Sequence, residues 1–245
     1  MKRFLLPLSL LLLTAPVPAD SPSSPPPMAA DAESLFDGQS LDGWDGDSRL
    51  WSVRDGVIHG ETTNEVPSKG NTFLIYQGPP VGNFDLRMQF RCNEVNNSGI
   101  IYRAFKVQPP KAKNGHQVGG YQYENRNEVD IPNVSGFHYD EAGTRGRLTT
   151  VGEVVTWTAD GKRVDRDDLI TQDEFRDLMK LGEFNEAAII ARGNRLEHYL
   201  NGRLICVLID EHPDKAMASG TIALQLHGGK PMFTEFKDIR LKRFE

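Results

Sequence analysis

An all-β sandwich of two antiparallel sheets, arranged as a jelly roll with one short helix, is the fold class this 245-residue sequence predicts. Three observations carry that prediction. Apolar and polar residues alternate over short segments such as Phe84-Asp85-Leu86-Arg87-Met88-Gln89-Phe90 and Thr221-Ile222-Ala223-Leu224-Gln225-Leu226-His227. A strand sends successive side chains to opposite faces, so such segments pack a core on one side and offer polar groups on the other. Turn dipeptides recur at Asp55-Gly56, Gly193-Asn194 and Asn201-Gly202, where the positive φ of a tight hairpin is tolerated. Short strands joined in this way build sandwiches and jelly rolls.

The helix is the exception in the pattern. Thr171-Gln172-Asp173-Glu174 has capping-box spacing, with Phe175, Leu178 and Met179 at helical intervals before Gly182, which predicts a helix over about 172–181 on the sandwich edge. Gln108 to Gln117, rich in proline, lysine and glycine, reads as an exposed loop.

The ends set the domain limits. Met1-Lys2-Arg3 and the apolar run Phe4 to Leu13, closed by Val17-Pro18-Ala19, read as a signal peptide over 1–19. No cysteine near Asp20 offers a lipid anchor, so a periplasmic or secreted protein with no membrane anchor after cleavage is expected. Residues 20–30, Asp-Ser-Pro-Ser-Ser-Pro-Pro-Pro-Met-Ala-Ala, are expected to form an extended spacer. Residues 31–245 fit one domain. The formal charge is −6, and no block of basic residues interleaves with aromatics, which argues against a nucleic-acid partner and for a neutral or polar ligand. Cys92 and Cys206 share parity with apolar neighbours and are expected as buried thiols, with a disulfide as the alternative in an exported protein.

Chemistry is sought on the polar faces of the strands. Asn97-Ser98-Gly99-Ile100-Ile101-Tyr102-Arg103 ends in a cation, and Gly119-Gly120-Tyr121-Gln122-Tyr123-Glu124 places Gln122 and Glu124 on one face. An amide and a carboxylate two residues apart can grip vicinal hydroxyls, although a half-exposed strand looks the same. His138-Tyr139-Asp140-Glu141, followed by Gly143-Thr144-Arg145-Gly146-Arg147, reads either as a site loop, with Glu141 favoured over Asp140, or as a solvated turn. His198 shares parity with leucines and reads as a core residue. His227 opposes the core face and precedes Gly228-Gly229. No metal motif is present, and a divalent ion held by His227 with carboxylates from other strands stays open as an alternative.

The ordered set of segments resembles the 3-keto-disaccharide hydrolase family, exported domains acting as 3-keto-glucoside 1,2-lyases and 3-keto-2-hydroxy-glucal hydratases. The resemblance runs from Ser34-Leu35-Phe36-Asp37-Gly38 and Trp51-Ser52-Val53-Arg54-Asp55-Gly56-Val57-Ile58-His59-Gly60-Glu61, through the segments ending in Arg103 and Gln122, to Arg192-Gly193-Asn194-Arg195. It closes on Leu224-Gln225-Leu226-His227-Gly228 and Phe236-Lys237-Asp238-Ile239-Arg240-Leu241. Glu124 departs from it, since similar sequences often carry Asp or Gln there; so does Glu186.

What the resemblance implies is a concanavalin-like jelly roll and a carbohydrate substrate cleaved by elimination and hydration. A ketone at carbon 3 acidifies the proton on carbon 2, so the reaction needs a base, a donor to the leaving oxygen and an electropositive group at the enolate. Glu124, Glu141 and His227 are the candidate base and donor; Arg103 or a divalent ion is the candidate for the enolate. Glu61, Gln122 and Gln225 are candidate hydroxyl ligands. The rival reading is a non-catalytic carbohydrate-binding module, which a platform of Trp44, Trp51 or Trp157 without acids would favour.

Overall fold

The computed structural model describes residues 23–95, 97–108 and 115–245. Two sheets form the sandwich. The larger runs, from one edge to the other, β11 (Gly161–Arg166), β10 (Val154–Thr158), β14 (Arg203–Asp210), β13 (Arg195–Leu200), β12 (Asn185–Arg192), β6 (Phe84–Cys92), β16 (Met232–Arg243), β4 (Val57–Thr62) and β3 (Trp51–Arg54), with β1 (Glu33–Ser34) also paired to β16. The smaller runs β2 (Trp44–Asp45), β5 (Thr72–Tyr76), β15 (Thr221–Leu226), β7 (Ser98–Lys106), β8 (Val118–Asn125) and β9 (His138–Glu141). All neighbours are antiparallel except β10 and β14, which pair in parallel. The expected jelly roll is therefore what the chain forms.

The alternation read in the sequence is what holds the layers together. Leu86, Met88 and Phe90 of β6 meet Ile222, Leu224 and Leu226 of β15 and Tyr121 and Tyr123 of β8 in one core between the sheets. Each fully buried side chain of this size contributes roughly 1.5–3 kcal/mol. The two tyrosines keep hydrogen bonds in that core: Tyr121 donates to Asp210 Oδ2 at 2.5 Å and Tyr123 to the Tyr199 carbonyl at 3.2 Å. A second apolar patch, Phe73, Ile75, Ile101, Ala104, Val118 and Ala223, lies on the other face of the small sheet.

The helix α1 covers Gln172–Leu178, shorter than the expected 172–181. Its capping box is complete: the Thr171 hydroxyl accepts from the Glu174 amide while the Glu174 carboxylate accepts from the Thr171 amide. It stops early because Met179 turns extended, at φ −78° and ψ 127°, and buries its side chain. Asn201 Nδ2 then donates to the Leu178 carbonyl at 2.8 Å, satisfying an acceptor the helix leaves open.

The signal-type segment 1–19, the start of the spacer and loop residues 109–114 lie outside the described residues. The rest of the spacer is a strap rather than a free tether. The Ser23 carbonyl accepts from the Leu204 amide at 2.8 Å and the Pro26 carbonyl from Arg87, and just past the spacer the Ala32 carbonyl accepts from Arg240 at 2.8 Å. Proline-rich chain has carbonyls to offer, and a backbone amide of β14 and outward arginines of β6 and β16 take them. Cys92 and Cys206 are both buried and free. Among the described residues no helix is long and apolar enough to cross a membrane.

Candidate active site

The outer face of the small sheet carries a cleft of about 240 Å³ lined by Asn71, Asn97, Gln122, Glu124, Arg126, Phe137, Tyr139, Glu141, Arg147, Gln225 and His227. Strand register assembles it. Gln225 faces Gly99, and Gly99 faces Glu124, so those two side chains share one rung across three strands. On the next rung Gln122 lies between Ile101 and Tyr139, and Glu141 sits opposite Gly120. Gly99 is required here: a Cβ on it would stand 2.5 Å from Gln122 Cδ, so only glycine lets that amide lie over β7.

The polar groups form a continuous chain. Gln225 Nε2 donates to Glu141 Oε2 at 3.3 Å and to Gln122 Oε1 at 3.2 Å; Gln122 Nε2 donates to Glu124 Oε2 at 2.6 Å; Arg126 Nε donates to Glu124 Oε1 at 2.8 Å. Glu124 is only 2% exposed, and burial pushes its carboxyl up to about 7, against the pull of Arg126, Gln122 and Arg147. A carboxyl poised there exchanges protons near neutrality, as a general base or acid must. Arg147 stacks on the Phe137 ring with its carbon 4.1 Å from the centroid and donates to Asn133 Oδ1 at 2.8 Å. His227 Nδ1 donates to the Gly228 carbonyl at 2.6 Å, which fixes the ring and leaves Nε2 as the nitrogen available to a ligand.

Five of the seven candidate residues therefore meet in one cleft: Gln122, Glu124, Glu141, Gln225 and His227. Two do not. Arg103 sits at a bulge, with φ +48° and a register shift between Tyr102 and Phe105, so strand parity fails there. Its guanidinium donates to the Gly82 carbonyl at 2.8 and 3.0 Å and to the Met217 carbonyl at 2.8 Å, tying two connections together away from the cleft. Glu61 lies on β4 of the other sheet, where Ile58 faces the core and Glu61 the outside; it pairs with Arg54 at 2.9 Å and His59 at 3.4 Å.

The cations of the cleft are instead Arg126 and Arg147. Arg126 continues the Gln122, Glu124 alternation by one more step, and Arg147 belongs to the glycine- and arginine-rich turn after β9. Asn71 had no local signal, since it reaches the cleft through the fold and accepts from the Gly228 amide at 3.2 Å. Asp140, on the opposite face of β9 from Glu141, pairs with Arg145 at 3.2 Å.

A cation site in the cleft does not follow from the donors. Among the described residues, the His, Cys, Asp and Glu ligand atoms that gather within 4.8 Å of one another are those of His138, His198 and Cys206, between the sheets. Those two imidazoles stack at 3.5 Å with 15° between their planes. Their in-plane lone pairs do not converge on one ion. His198 also spends Nδ1–H on the Gly136 carbonyl at 2.8 Å and Nε2 on the Tyr102 hydroxyl at 2.9 Å, and burial drops it to about 3. It is the core histidine its parity predicted.

A groove of about 520 Å³ lies by the strap on the other sheet, but its cations are engaged: Arg87 with Asp85 and the Pro26 carbonyl, Arg240 with the Ala32 carbonyl. The smaller cleft holds the convergent acids. Solved structures share this jelly-roll fold. A provisionally assigned glycosyl hydrolase of Parabacteroides distasonis is 18% identical, with a TM-score of 0.54 over 87% of this chain and 94% of its own. The carbohydrate-binding module CBM66 of Bacillus subtilis is 12% identical, with a TM-score of 0.51 over 82% and 95%. A Bacillus subtilis protein of unknown function with a galectin-like fold is 11% identical, with a TM-score of 0.51 over 83% and 90%. No curated protein matches the chain. Residues 31–242 match the 3-keto-alpha-glucoside-1,2-lyase-like domain, and the chain belongs to that family.

Proposed function

We propose that this protein is an exported enzyme that cleaves 3-keto-glycosides by elimination and hydration. The observation that carries the reading is Glu124, a buried carboxylate poised at about 7 on the wall of a cleft it shares with Glu141, His227 and two arginines. Glu124 takes the proton from carbon 2, and the electron pair passes to the carbon 3 oxygen as an enolate. Arg147, with Arg126 beside it, supplies the positive field at that oxygen. The enolate collapses, the bond from carbon 1 to the aglycone oxygen breaks, and His227 in its imidazolium form protonates the leaving oxygen. Water then adds at carbon 1 and carbon 2 regains a proton, giving the 3-keto sugar. No oxocarbenium ion is needed, in contrast to glycosidases with paired carboxylates.

The rival reading, a carbohydrate-binding module, expects an aromatic platform. Trp44 and Trp51 are buried in the core, Trp157 packs against it, and none lines the cleft, which favours catalysis. The test is incubation of the purified protein with 3-keto-trehalose and with 3-keto-β-glucosides, with and without chelator. Consumption is expected, and on a nitrophenyl 3-keto-β-glucoside, whose leaving group needs no proton from His227, kcat/KM should rise as pH climbs through about 7, the range to which burial lifts Glu124. A fall on that substrate across that interval would take the base role away from Glu124, and no consumption of any substrate would remove the enzymatic reading. His227→Ala is expected to cost roughly 10²–10⁴-fold on an alkyl glycoside and far less on a nitrophenyl one, whose leaving group needs no proton. Equal losses on both would take the donor role away from His227.

A further inference from the structure

Two glutamines join the two carboxylates of the cleft, and their orientation is not free. Each primary amide has a donor end and an acceptor end. Gln225 spends both N–H bonds, one on Glu141 Oε2 and one on Gln122 Oε1, which leaves Gln122 its own Nε2 to donate to Glu124 Oε2. Both carboxyl groups are held as acceptors. Gln225 Oε1 is left buried and without a hydrogen-bond partner, on a residue that is 1% exposed and lines the cleft. A buried carbonyl in that state is costly unless something donates to it.

We propose that Gln122 and Gln225 are positioning residues: a two-amide bridge that ties Glu124 and Glu141 to one hydrogen-bond polarity and presents the Gln225 carbonyl as the acceptor for a ligand hydroxyl. The bridge reverses only as a unit. If Glu124 takes a proton and donates it to Gln122, the Gln122 amide turns its N–H bonds to Gln225. Gln225 must then offer its carbonyl in that direction, toward Glu141 as well, and Glu141 must hold a proton to meet it. The reversed bridge would show the ligand an N–H in place of a carbonyl. Protonation of one carboxyl therefore favours protonation of the other, the opposite of what repulsion between two like charges produces.

Other charges facing Glu124 act on it without passing through the amides. They are Arg126 just past the end of β8, Tyr139 and Glu141 on β9, Arg147 on the turn that follows, His227 after β15, and the Cys92 thiol on β6. All of them persist when a glutamine is replaced, so substituting an amide isolates the bridge. Methionine keeps the length and shape of glutamine without its hydrogen bonds.

The inference rests on this cleft being the functional site, but its experiment reads protonation rather than turnover. The carboxyl carbons of Glu124 and Glu141 are followed by 13C nuclear magnetic resonance across pH in the full chain, assigned with E124Q and E141Q. In the unsubstituted protein the two carbons are expected to move together, in a step at least as steep as a one-proton curve. Gln225→Met, whose side chain does not touch Glu124, is expected to separate the two curves and raise the Glu124 midpoint by roughly one pH unit, the weight of weakening one donor to a carboxylate. Gln122→Met should do the same to Glu141, which the bridge links to Gln122 through Gln225, and decides the matter if Gln225→Met does not fold. Separate curves in the unsubstituted protein, or a distant carboxyl that ignores the substitution, overturns the bridge. Linked curves in a protein that consumes no 3-keto-glycoside would leave the bridge standing and remove the proposed reaction. Turnover with unlinked curves would do the reverse.

Discussion

At the scale of the residue, Glu124 trades stability for chemistry. Its carboxyl is held at about 7 by burial, whereas an unfolded glutamate titrates near 4.5. Between those values the folded protein binds the proton that the unfolded chain has released, so stability falls as pH rises through that window and levels off above it. Glu124→Gln removes the charge that burial penalises. It is expected to stabilise the protein by up to about 3 kcal/mol at pH 8, with the difference gone by pH 4, while turnover is lost. Thermal midpoints at those two pH values test it; a substitution that destabilises at pH 8 would mean that Arg126 needs the carboxylate more than burial resents it. Such residues were legible because they stand in regular strands. Gln122, Glu124, Gln225 and His227 alternate with core residues, and parity alone places them on the outer face. Arg103 obeys the same arithmetic on paper and breaks it in space, because a bulge with positive φ is invisible to a two-residue period. Glu61 fails for another reason: its parity is right, but parity does not say which sheet a strand joins.

At the scale of the element, the turn after β9 brings Glu141 and Arg147 into the cleft, and a buried ion network holds it there. Arg145, 2% exposed in its side chain, pairs with Asp140 at 3.2 Å and Asp210 at 2.9 Å, while the Asp140 carboxylate accepts from the Thr144 and Arg145 amides. Burying these charges is expensive, and removing one partner exposes the cost. Arg145→Leu is expected to destabilise by about 3–5 kcal/mol, and pairing it with Asp210→Asn should recover part of that loss. Below its melting range the single variant should also raise KM for a 3-keto-glycoside, because Glu141 and Arg147 lose their common anchor. An unchanged KM would show that the strand pairing of β9 suffices. The sequence marked this turn through its glycines and arginines and favoured Glu141 over Asp140, yet it could not show that Arg145 serves the fold and Arg147 the cleft. Those two residues differ only in which way the turn points them. The capping box, by contrast, is a local device and announced α1 correctly at its start; the early stop at Leu178 depends on burial of Met179 and on Asn201 from a distant hairpin.

At the scale of the whole molecule, the strap shows what composition leaves out. A run of proline and serine buries little of its own surface, but it supplies carbonyls, and the outer face of the large sheet carries arginines that need acceptors. The strap becomes more firmly held toward β1. Leu35 is buried, its amide donates to the Ile239 carbonyl at 2.9 Å, and its carbonyl accepts from the Trp44 indole at 2.8 Å. Ala32 is buried beside it, Lys242 pairs with Asp31, and Arg243 pairs with Glu33. Two truncations separate these contributions. A chain beginning at Asp31 gives up the bonds at Ser23 and Pro26, both at exposed positions, and should melt within a few degrees of a chain beginning at Ser23. A chain beginning at Asp37 also gives up Leu35, Ala32, the pairing of β1 with β16 and the Trp44 hydrogen bond. That loss is worth about 3 kcal/mol or more, and for a domain of this size it corresponds to a fall of roughly 10 °C in Tm. Because the strap crosses the sheet opposite the cleft, kcat/KM for a 3-keto-glycoside should be the same in all three chains at a temperature where each is folded. Equal midpoints would reduce the strap to a passive tether, and a selective loss of turnover would show that the two faces of the sandwich communicate.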